Sequence, residues 1–180
     1  AYNWPLLPGG LRIKELYFFK NTASALGFVV TVFCYPMAVA GWGAASGALL
    51  EDVSAASVVA AALFFVLFEL SYEVIYDLRD VEGDRAAGVR SYPAVHGVEG
   101  AARIVDGLIA SSFLVAVGAY AAGVLPWRIT IMAAAPLINL VFYKRALRRG
   151  ITSGDCIRLT WLGVALLTVY HLWVAAGLPG

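Results

Sequence analysis

Glu69, Glu73, Asp77, Asp80 and Asp84 follow one another at spacings of four, four, three and four residues. At about 100° per residue, all five fall within an arc of roughly 80° on one helix face. Asp77, Asp80 and Asp84 then stand about 5–6 Å apart along the helix axis, turn by turn. Hard cations such as Mg²⁺ take oxygen ligands, commonly one or two carboxylates completed by phosphate oxygens. The three aspartates therefore suit one or two divalent ions bridging a diphosphate. Arg79, Arg85 and Arg90 interleave with them and can meet phosphate oxygens in a forked geometry. Glu69 and Glu73 lie deeper in the apolar segment, where they could orient a hydroxyl group, act as a base, or form a hydrogen bond between helices. A solvated loop of mutually satisfied charges is the plainer account of the arginines. It fits the aspartates less well, because their stripe begins inside an apolar run.

The elements that must hold this stripe are apolar throughout. The 180 residues are 61% hydrophobic and 14% charged, with a mean hydropathy of +0.79, well outside the range of soluble domains. Residues 22–50, 53–68, 107–127, 129–143 and 159–180 carry no Asp, Glu, Lys or Arg. About 20 apolar residues are needed to cross the hydrocarbon core. The expected fold is an all-α polytopic transmembrane helix bundle with spans near 21–47, 53–77, 100–123, 127–145 and 157–177, and a motif loop over 77–97. Pro36 and Pro136 should kink their helices and help to shape a cavity.

Twelve of the thirteen basic residues fall on one side of these spans: Arg12, Lys14, Lys20, Arg79, Arg85, Arg90, Arg103, Lys144, Arg145, Arg148, Arg149 and Arg158. The loops near Glu51, Asp52 and Trp127 offer only Arg128. The positive-inside asymmetry places the motif end in the cytoplasm, with Trp42, Trp127 and Trp173 at the outer interface and Trp4 and Trp161 at the inner one. Arg103 and Asp106 are expected to pair. Cys34 and Cys156 are expected to be structural and unpaired. Membrane lipid is an expected partner and nucleic acid is not.

The run from Asp77 through Asp80, Gly83, Asp84, Gly88 and Pro93 to Gly97 resembles the second aspartate-rich motif of the UbiA superfamily of intramembrane prenyltransferases. The five spans resemble helices five to nine of that family's nine. Tyr17, Lys20 and Asn21 resemble the short Tyr/Lys element preceding its fifth helix, although only two residues separate Tyr17 from Lys20.

The resemblance implies Mg²⁺-dependent transfer of a prenyl group from a prenyl diphosphate to a lipophilic acceptor, aromatic or alcohol. On that reading Asp77, Asp80 and Asp84 hold metal, and Lys20 is catalytic alongside them. Tyr17, Lys20, Asn21, Arg79, Arg85 and Arg90 bind the diphosphate. Phe28, Phe33, Phe64, Phe65 and Phe68 would line the hydrocarbon tail, or else simply pack helices.

The family's first aspartate motif has no counterpart in these residues. The expectation is a C-terminal half that is incomplete alone and works with an N-terminal half or a partner subunit. A cation-transporting subunit using the acidic stripe, and a non-catalytic scaffold, are the rival readings. The first of these leaves the glycine punctuation and the neighbouring arginines unexplained.

Overall fold

The computed structural model describes residues 8–10, 16–17, 19–42 and 54–179, with the backbone alone at 8 and 40–42. Trp4, Arg12, Lys14, Glu51, Asp52, the 43–47 end of the first expected span and the side chain of Trp42 lie outside the described residues. No strand occurs among those described, and five helical segments are long and apolar enough to cross a membrane.

The first span joins α1 (Phe19–Val29) to α2 (Tyr35–Trp42) through a π-helical turn, Val30–Cys34. Pro36 explains the widened turn. It brings no backbone N–H, and Tyr35 reaches back five residues to the Val30 carbonyl instead of four.

α3 (Ala55–Ala86) starts on Ser54, whose hydroxyl accepts from the Ser57 N–H. It carries the acidic stripe and continues well past position 77, so the segment expected as a loop is helical through Ala86. Its end is set by Gly88 at φ +67°: the Gly88 N–H bonds the Arg85 carbonyl at 3.2 Å, and the Val89 N–H bonds the Asp84 carbonyl at 2.8 Å. This is the Schellman arrangement, in which a glycine takes the left-handed position.

α4 (Tyr92–Ala121) opens with Pro93 in its first turn and breaks at Gly97 (φ 73°, ψ 169°). The break separates the turn bearing Tyr92 and His96 from the long apolar helix. α5 (Ile129–Leu147) contains Pro136, and α6 (Ser153–Ala175) begins with a capping box between Thr152 and Asp155.

Packing follows chain order, with α1 on α3, α3 on α4, α4 on α5 and α5 on α6. The core is centred on Phe64, Ile75, Val105, Ile109 and Tyr143, all essentially inaccessible. Hydroxyl groups pin the helices at depth: Tyr143 donates to the Ala102 carbonyl at 3.1 Å, and Tyr72 donates to the Leu159 carbonyl at 3.0 Å. Trp127 and Trp173 meet edge to face at 5.1 Å, at the end expected to be the outer one. Asp106 pairs with Lys144 at 2.6 Å rather than with Arg103, which faces Glu99 at 3.8 Å. Arg103 and Asp106 share a helix, but Lys144 on α5 comes closer in space. Cys34 and Cys156 are both free thiols.

Candidate active site

The first turns of α1 lie across the last turns of α3, and polar side chains on α1 meet the acidic stripe. Lys20 donates to Asp77 Oδ1 at 2.6 Å and to Asp84 Oδ2 at 3.3 Å. Asn21 donates to the other Asp77 oxygen at 2.7 Å. One helical turn deeper, Ser24 donates to Glu73 Oε1 at 2.6 Å. Lys20, Asn21 and Ser24 lie within four residues on one face of α1, so a short polar edge answers the stripe across the helix interface.

Asp77 is almost fully buried, its side chain 4% exposed against 23% for Lys20. A buried carboxylate needs partners for its oxygens, and here both are engaged. Among the described residues Asp84 pairs with Lys20 alone, at the longer distance. Asp80 faces outward and takes a forked contact from Arg79, including Nε to Oδ1 at 2.7 Å. Arg79 also lies 5.8 Å from the Tyr76 ring centre.

The remaining expected site residues gather beside this cluster. Tyr17 hydrogen-bonds His96 Nε2 through its hydroxyl and packs 5.5 Å from the Tyr92 ring. Arg90 stacks over the Tyr17 ring at 5.8 Å, and Arg85 donates to the Pro93 carbonyl at 3.4 Å. Lys20 and Asn21 thus join the aspartates directly. Tyr17 and Arg90 instead form an aromatic cluster with His96. Ser24 was not singled out in the sequence, although its position four residues after Lys20 was a usable signal.

Below the cluster, α1, α3, α5 and α6 line a partly open cavity of about 170 Å³. Phe28, Phe65, Phe68, Tyr72, Tyr76 and Met132 supply its apolar wall, with Glu69 as its one charged lining group. Phe33 packs against Phe65 at 6.4 Å, and Phe64 belongs to the core. Among the described residues no three acid, His or Cys side chains converge on one point as a metal site. Asp80 and Asp84 still suit Mg²⁺, which accepts two carboxylates when phosphate oxygens complete its shell. Asp77 is buried with its oxygens held by Lys20 and Asn21 from the facing helix, whereas Asp80 is exposed and its oxygens are held by the mobile side chain of its own neighbour, Arg79.

A polytopic helix bundle that sets a lysine into a row of carboxylates above an aromatic cavity can hold a polar anion at the interface and an apolar tail beneath. Residues 11–164 match the UbiA prenyltransferase family, and the chain belongs to that family. Over 101 residues it is 29% identical to the digeranylgeranylglyceryl phosphate synthase of Haloquadratum walsbyi, a match covering 56% of this chain and 34% of that protein. The chain spans about a third of the length of that curated relative. No solved structure matches it.

Proposed function

We propose that residues 1–180 supply the diphosphate-binding end of an intramembrane prenyltransferase, acting as the C-terminal half of its domain. The whole protein moves a prenyl group from a prenyl diphosphate to an aromatic or alcohol acceptor. The observation that carries this reading is Lys20, held between Asp77 and Asp84 by two helices whose deeper turns line the aromatic cavity.

In the reaction, the bond between prenyl C1 and the diphosphate oxygen breaks and its electron pair leaves with the diphosphate. The acceptor forms a new bond to C1 and loses a proton. Mg²⁺ held by Asp80 and Asp84 would neutralise charge on the leaving diphosphate. Asp77 and Asn21 fix the position of Lys20, whose ammonium group answers the charge that develops as the bond breaks. Arg79, Arg85 and Arg90 add donors along the rim, and Tyr17 orders Arg90. Phe28, Phe65 and Phe68 take the hydrocarbon tail and exclude water from the developing cation. Glu73, fixed by Ser24, and Glu69 in the cavity wall are the groups available to an acceptor hydroxyl. The charge asymmetry supports a cytoplasmic placement of the diphosphate end.

The test is binding of a prenyl diphosphate to the full-length protein with Mg²⁺ and with EDTA. Wild type should bind only with the metal, and Asp80→Asn with Asp84→Asn should remove that dependence and the binding together. Unchanged binding by the double variant would sink the assignment of these two residues.

A further inference from the structure

A second cavity, of about 240 Å³, lies where the end of α5 meets the start of α6. It is lined by Phe142, Arg145, Arg149, Asp155, Arg158 and Leu159, and shares no residue with the site on α1 and α3. Arg149 donates to both Asp155 oxygens, at 2.6 and 3.0 Å. Asp155 also accepts from the Thr152 N–H at 3.0 Å and the Thr152 hydroxyl at 2.7 Å, so its side chain is held as one wall. Among the described residues its charge is matched by Arg149 alone. Arg145 and Arg158 make no ion pair among the described residues. Three guanidinium groups against one carboxylate leave two positive charges uncompensated in a concave site.

One turn deeper the surface becomes apolar. Phe142 lies three residues before Arg145, and Trp161 three after Arg158, so each continues the face of its arginine. Both are well exposed, at 49% and 67%, as is Ile157, one helical turn before Trp161, at 57%. Paired arginines match phosphate oxygens, while an apolar shelf running into the membrane matches acyl chains. A free phosphate would use only the first of these features.

We infer that this groove binds the phosphate headgroup of an anionic phospholipid, with the lipid's chains laid along Phe142 and Trp161. The inference is independent of the prenyltransferase reading, since it uses none of its residues. Basic pockets between helices at a cytoplasmic interface are suited to such headgroups.

The test is competitive lipid retention by the full-length protein in phosphatidylcholine nanodiscs doped with phosphatidylglycerol, read by native mass spectrometry. Wild type should retain phosphatidylglycerol with a preference of roughly tenfold, as two interfacial arginines allow. Arg145→Gln with Arg158→Gln should remove that preference. Both side chains lack internal partners, so the fold should persist. Arg103→Gln with Arg148→Gln removes equal charge outside the cavity and should leave the preference intact. Equal losses in the two double variants would overturn the groove in favour of diffuse surface charge. Displacement of the lipid by millimolar inorganic phosphate would overturn the phospholipid as occupant, because the chains would then contribute nothing.

Discussion

Lys20 donates to Asp77 at 2.6 Å across 57 residues of sequence, joining the first turn of α1 to the acidic stripe of α3. The contact places a cation inside a row of carboxylates. It argues against a cation pathway, because an ammonium group would obstruct a permeating ion. It suits a site whose ligand brings its own negative charge and metal. Metal flux through the purified protein is therefore expected to be absent, and divalent-dependent flux abolished by Asp77→Asn would reverse that conclusion.

Lys20→Met should damage both stability and function. It leaves Asp77 buried with Asn21 as its remaining partner, a loss of about 2 kcal/mol for a partly exposed pair. Lys20→Arg keeps the charge and should recover most of the thermal stability, but not the placement of charge at the diphosphate. Melting temperature and transfer rate measured together separate the two effects. Equal recovery of both by arginine would mean that only charge matters.

Asp80→Asn and Asp84→Asn should behave in the opposite way. Asp80 is exposed and paired with its own neighbour, an arrangement worth little to stability. Asp84 meets Lys20 only at 3.3 Å. The double variant should melt within about 1 kcal/mol of wild type while losing Mg²⁺-dependent ligand binding. A variant that fails to fold would assign these residues a structural role.

Gly88→Ala should act on the site through the backbone. At φ +67° an alanine costs about 1–2 kcal/mol. The Schellman closure that ties the Asp84 carbonyl to Val89 would loosen, weakening metal affinity more than affinity for an apolar acceptor. Titration of Mg²⁺ at saturating substrate reads this directly, and an unchanged midpoint would contradict it.

Gly163 marks the wall of the cavity. A Cβ there would lie 3.2 Å from the Tyr72 hydroxyl, which already donates to the Leu159 carbonyl. Gly163→Val should displace Tyr72, narrow the cavity and shift preference toward shorter prenyl chains. Competition between diphosphates of two chain lengths checks the shift.

The stripe was legible because helical periodicity is local: five acids at spacings of three and four define a face wherever the helix lies. Five spans were legible from uncharged runs for the same reason. Contacts between helices were less so. The pairing of Asp106 went to Lys144 because α5 packs on α4, and nothing in the spacing of Arg103 could reveal that. The extent of α3 was hidden because the apolar run gives way to charged residues and a glycine after position 77. The helix instead passes through Gly83 and stops at Gly88, where backbone hydrogen bonds close the end. Ser24 escaped notice because serine in an apolar run is common, and its meaning comes only from Glu73 opposite.

The most direct measurement is stoichiometric: diphosphate released and prenylated acceptor formed by the full-length protein, with Mg²⁺, for wild type and for Asp80→Asn with Asp84→Asn. The account predicts equal amounts of both products from wild type and neither from the double variant. Diphosphate release without prenylated acceptor, or equal turnover by both proteins, would contradict it.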